Sequence, residues 1–193
     1  KTIKNYDYPV QEISNTKNIY FSIDYLHLEN LNPDYGYKEK CKELSNGDNN
    51  IWRCSFDSNI APELIVSMGD IKKISEYSKN NYNNELNHCL YSDEGDHLLF
   101  IYRYKNNGRQ FSKLILINMQ SPNFDMMQIN KSFISHMCWI DKHNIFYFGD
   151  SMNGGKGYYK YNIINSKAIR IMPDNLNDGH PSINKGKLWI ILD

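Results

Sequence analysis

Short apolar runs alternate along the chain with clusters of polar turn formers. The runs are brief and rich in Ile, Tyr, Phe and Leu, which favours strands over helices. One composite pattern recurs: a histidine, about four residues, a polar turn, then a strongly apolar run. It begins at His88 in "HCLYSDEGDHLLFIYR", at His136 in "HMCWIDKHNIFYFGD" and at His180 in "HPSINKGKLWIILD". The intervals are 48 and 44 residues. A fourth copy lies upstream in "QEISNTKNIYFSIDY", where Gln11 takes the histidine position.

Further strand candidates follow each pair: "NIWRCSF" and "ELIVSM", then "SKLILINM" and "FDMMQI", then "GYYKYNI" and "AIRIM". Four short strands per period of roughly 40–50 residues predict an all-β fold, a β-propeller of four-stranded antiparallel blades. The blades span residues 8–68, 87–130, 132–172 and 178–193, the last incomplete, giving about three and a half blades in one domain. The pattern expects the remaining blades from sequence outside this chain, and a natural N-terminus upstream of Lys1. Residues 30–50 read as a long loop, and 70–79 as one short helix capped by Asp70, with Lys79 at its C-terminal end.

The "HCLYSDEGDHLLFIYR" stretch resembles the His-x-x-x-Ser-x-x-Gly unit of bacterial WD40-like and TolB-like propeller repeats. "YPVQEIS", "LHLENLNPDYGY", "NNIWRCSF", "SHMCWID" and "DGHPS" are similar, in order, to landmarks of bacterial propellers associated with surface-polysaccharide biosynthesis. That resemblance implies a carbohydrate-related role. A more distant likeness is to oligogalacturonate-lyase propellers, which hold a central divalent metal with three His and one Gln. It implies His88, His136, His180 and Gln11 as metal ligands, although the local Gln-x-x-His-x-His cluster of those lyases is absent here.

Charge narrows the functional classes. The 22 basic residues balance 22 acidic ones, and Lys72-Lys73 is the densest cationic spot, so no nucleic-acid partner is expected. No apolar run approaches the roughly 18 residues of a membrane span, and no membrane association is expected. Cys41, Cys54, Cys89 and Cys138 form no CxxC pair, which argues against structural zinc and for free thiols in a cytoplasmic setting.

In a propeller the innermost strands line a central channel, so His88, His136, His180 and Gln11 would converge. Imidazole nitrogens and an amide oxygen suit Mn, Fe or Zn. The same residues at the start of inner strands could instead tie neighbouring blades together through hydrogen bonds. Arg103, following the second blade's strand, is placed at the channel mouth, where a guanidinium holds carboxylates. His27, His97 and His143 lie outside the register and are assigned to the surface or an edge. Tyr158, Tyr159 and Tyr161 are assigned to strand packing, Trp52, Trp139 and Trp189 to inter-sheet core, and "MNGGKG" at 152–157 to a hairpin loop. Three functions remain: a carbohydrate-binding or accessory propeller, a metal-dependent uronate lyase with no assignable base, and a protein-interaction scaffold with a protein partner.

Overall fold

A computed structural model describes residues 6, 8–33, 35, 49–76, 84–92, 94, 97–172, 177–184 and 190–192. Cys41, Lys79, Trp189 and most of the 30–50 loop lie outside them. The described chain is all-β, with two short helices. Three four-stranded antiparallel sheets follow one another, each built from consecutive strands in chain order. The first holds β1 (Glu12–Ile13), β2 (Ile19–Ile23), β3 (Ile51–Ser55) and β4 (Glu63–Val66). The second holds β5 (Asn84–Tyr91), β6 (His97–Asn106), β7 (Arg109–Asn118) and β8 (Met126–Gln128). The third holds β9 (Ile134–Asp141), β10 (Asn144–Gly149), β11 (Gly157–Asn162) and β12 (Lys167–Arg170). A two-stranded sheet of β13 (Pro181–Ile183) and β14 (Ile190–Leu192) ends the chain.

The second sheet lies between the first and third. Along β6, Leu98, Phe100, Tyr102 and Tyr104 join Phe21, Ile23, Ile51 and Val66 of the first sheet in one core. Leu99 and Ile101 point the other way, into a second core with Ile145, Tyr147, Tyr159 and Tyr161 of the third sheet. Strand alternation alone produces this division. Burial on both faces explains why β6 reads as a continuous apolar run, and each such side chain contributes about 1.5–3 kcal/mol. Tyr158 faces away from Tyr159 and Tyr161, packing with Phe146 and Phe148 on the outer side of the third sheet. The tyrosine assignments therefore hold.

Strand lengths differ from the sequence expectation in one informative place. β6 and β7 extend to a two-residue hairpin at Asn107–Gly108, both with positive φ (50° and 75°). That mirror-image turn matches the twist of its strands, and Asn-Gly is its preferred sequence. Arg103 consequently lies inside β6, opposite Glu85 on β5 and Ser112 on β7, rather than after the strand.

Two helices flank the first sheet. Tyr25–Leu31 forms α1, which the sequence pattern does not predict; only its last two residues fall in the expected 30–50 loop. Asp24 caps it, accepting from the His27 N–H at 2.9 Å, and Tyr25 and Leu28 face the core. Met68–Ile74 forms α2, starting two residues before the expected helix. Ser67, not Asp70, is its N-cap; Asp70 returns a bond to the Ser67 N–H, completing a capping box. Among the described residues no helix is long and apolar enough to cross a membrane.

Candidate functional site

The first strands of successive sheets lie near one another, with β1 against β5 and β9 against β13. This arrangement brings Gln11, His88, His136 and His180 to the wall of a single cleft of about 270 Å³. Glu12, Cys89, Leu90, Met137 and Pro181 complete the lining. The four matched positions do not all begin a strand. Gln11 and His180 immediately precede β1 and β13, whereas His136 is third in β9 and His88 fifth in β5.

His88 reaches the cleft through a β-bulge. Asn87 pairs with Ile101 and Leu90 with Leu99, so His88 and Cys89 together oppose Phe100. His88 adopts a left-handed conformation, φ 56°, and its N–H donates to Asn87 Oδ1 at 2.8 Å. Such a conformation costs of order 1–3 kcal/mol in a non-glycine residue and re-aims the side chain. The His88 ring meets the edge of Tyr35, with centroids 5.5 Å apart.

Arg103 lies close enough to influence His88 but does not line this cleft. Its Nη1 donates to Glu85 Oε1 at 3.0 Å, and Asn87 Nδ2 donates to the same oxygen at 3.2 Å. Arg103 lines a separate cavity of about 240 Å³ with Glu85, Tyr104 and Leu31. Glu85 and Asn87, which link Arg103 to the bulge, were not singled out from sequence.

On the opposite side, the His136 and His180 rings meet at 3.8 Å between centroids, tilted by 50°. His136 Nδ1 lies 3.0 Å from Asp178 Oδ1 and 3.0 Å from Ser135 Oγ. A carboxylate only accepts, so Nδ1 carries a proton, and in the neutral ring Nε2 is left as an acceptor. Asp178 was visible only as part of "DGHPS", without a role. The Tyr25 hydroxyl donates to Gln11 Oε1 at 3.0 Å, orienting the amide. Glu12 Oε1 accepts from the Tyr91 N–H at 3.3 Å.

Burial, with the positive charge of Arg103 and the neighbouring His136 and His180, pushes His88 down to about pH 4. At neutral pH it is a neutral imidazole that can both donate and accept. Burial also raises the three described thiols, Cys54 to about 11, Cys138 to about 12 and Cys89 further still. None is a thiolate nucleophile at neutral pH. Among the described residues, no group of three or more His, Cys, Asp and Glu side chains is arranged to hold a metal ion.

The depressed His88 value makes stability pH-dependent. The unfolded chain takes up a proton near pH 6.5, whereas the folded chain resists until about pH 4. Stability contributed by neutral His88 is therefore fully present above pH 6.5 and falls by about 3 kcal/mol as pH drops to 4. His88→Asn tolerates the positive φ and removes this dependence. Urea midpoints for both proteins at pH 7, 5.5 and 4.5 should diverge progressively, the wild type falling more steeply; parallel curves would refute the assignment.

The remaining histidines stay outside the cleft, but they are half-buried rather than surface residues. His27 Nε2 contacts the Asn84 carbonyl at 3.0 Å, joining α1 to β5. His97 lies against the Trp139 ring. Trp52 and Trp139 are half-buried, with Trp139 packed against the second core. No protein-family model, curated protein or solved structure matches this chain.

Proposed function

We propose that the chain forms consecutive blades of a β-propeller and binds one sugar unit of a glycan in the cleft shared by Gln11, His88, His136 and His180. The observation that carries this proposal is the meeting of four residues spread over 170 positions on one small cleft. Its volume, about 270 Å³, falls near the lower end for ligand sites and suits a single ring. Neutral His88, the free Nε2 edge of His136 and the Gln11 amide supply polar groups of the kind that hydroxyl groups require. Successive four-stranded meanders with their first strands side by side support the propeller architecture.

Calorimetric titration with a uronic-acid trisaccharide and a neutral hexose trisaccharide tests this function. At least one should bind saturably, with His136→Ala and Gln11→Ala each weakening it about tenfold or more, the effect of losing about 1.4 kcal/mol. Binding by neither sugar would sink the proposal and favour a protein-interaction scaffold. The His136–Asp178 contact also resembles the carboxylate that orients a metal-bound imidazole. Stoichiometric Mn, Fe or Zn in chelator-free protein, lost in His136→Ala, would favour the metal-dependent lyase reading instead.

A further inference from the structure

A second cleft, of about 850 Å³, opens where the β6–β7 hairpin, the segment joining β8 to β9 and the β10–β11 loop approach one another. It shares no lining residue with the histidine cleft. Arg109, Lys131 and Lys156 lie on its wall, with Asp150 as the lone carboxylate among its described lining residues. Three positive charges against one negative leave a formal +2.

Asp150 offers little of its charge to the cleft. It is 8% exposed and accepts from Asn130 Nδ2, the N–H groups of Lys131, Ser132 and Phe133, and the Ser132 hydroxyl. No ion pair joins Arg109, Lys131 or Lys156 to a described carboxylate. Two of these cations sit instead on aromatic rings. Lys156 Nζ is 3.8 Å from the Phe133 centroid, and the Arg109 guanidinium is 5.1 Å from that of Phe111. A ring face positions a cation without neutralising it.

The β10–β11 loop is held in place. Tyr159 Oη donates to the Gly155 carbonyl at 2.7 Å, Arg170 Nη2 donates to the Lys156 carbonyl, and the Ser151 N–H bonds the Gly154 carbonyl at 3.2 Å. A Cβ built on Gly155 would meet open space. The loop is the hairpin that its sequence predicts, and it also carries a positioned cation.

We propose that this cleft binds a small, doubly charged oxyanion group, a phosphate monoester carried on a low-molecular-weight ligand. A phosphate monoester carries about −1.5 to −2 charge at neutral pH and presents three acceptor oxygens, matching the +2 wall. A monocarboxylate would leave one positive charge uncompensated. A polyanionic strand is disfavoured because the chain is neutral overall, with 22 cations and 22 anions.

The test is independent of the glycan proposal and uses amide NMR on the full chain. Inorganic phosphate, a hexose phosphate and a hexose sulfate are titrated separately at low salt. Saturable shifts are expected at Arg109–Phe111, Lys131–Phe133 and 153–156, with Lys156→Gln and Arg109→Gln each weakening phosphate about tenfold, or about 1.4 kcal/mol. Tighter binding of the hexose phosphate than of the singly charged hexose sulfate supports the site; a sulfate that binds as tightly overturns the double-charge assignment. Unchanged phosphate binding in both variants, no saturable shifts with any probe, or much tighter binding of a short single-stranded oligonucleotide overturns the proposal.

Discussion

Asp150→Ala is expected to lower the free energy of unfolding by about 4 kcal/mol, among the largest effects of any polar substitution in the chain. The carboxylate sits where β10 ends and accepts from five donors on residues 130–133. Its removal takes the acceptor from three backbone N–H groups, the Ser132 hydroxyl and one of the bonds of Asn130, a side chain that is 0% exposed and keeps its bonds to Ser112 and Leu114. Burial raises the Asp150 pKa, but the bonds from Ser132, Phe133 and Asn130 outweigh it and hold the group below the ordinary 3.8. The stability it confers is present above pH 3.8 and is lost as pH falls through the lower folded value. Asp150→Asn keeps one acceptor oxygen and should cost less, about 2 kcal/mol. Urea unfolding at pH 7 measures both; a cost below about 1 kcal/mol for the alanine variant would contradict this role.

Arg103→Met should cost about 3 kcal/mol at neutral pH and also change the titration of His88. The Arg103 and Glu85 side chains are 14% and 11% exposed, so removing the guanidinium leaves a nearly buried carboxylate with only Asn87 as a donor. Methionine keeps most of the volume, which separates the electrostatic loss from a cavity. Adding Glu85→Leu should recover much of the stability, because it removes the stranded charge. Burial is the first cause of the low His88 value and Arg103 the second, so the variant should titrate above 4 but still below 6.5. An unchanged His88 titration, or a double variant no more stable than Arg103→Met, would show that the pair is not coupled to the bulge.

The repeat was legible because strand alternation and polar turns leave a local record. The sheet groupings, the placing of Tyr158 on the face opposite Tyr159 and Tyr161, and the hairpin at 150–156 all follow from residues close in sequence. His88, His136 and His180 could be grouped because their spacing repeats, and Gln11 because the same turn and strand pattern follows it. Arg103 was misplaced because β6 was ended at Tyr102. The Asn107–Gly108 signal, read for its turn chemistry, would have extended the strand. Helix α1 was missed although Tyr25, Leu28 and Leu31 recur at helical spacing and Asp24 offers a local cap; it is only seven residues long, and its packing of Leu28 is a tertiary fact. Asp178, Glu12 and Glu85 owe their roles to contacts 42, 79 and 18 residues distant, which a single sequence does not record.

The most direct test follows the imidazole nitrogens themselves. Protein carrying ¹⁵N-histidine is titrated at pH 7 with the tighter-binding trisaccharide. The ring signals of His136 and His180 should move together with one dissociation constant, His88 should respond as a neutral ring, and those of His27, His97 and His143 should stay fixed. Saturable binding that leaves His136 and His180 unmoved, or that shifts all six histidines alike, would contradict a glycan site built where the strands converge.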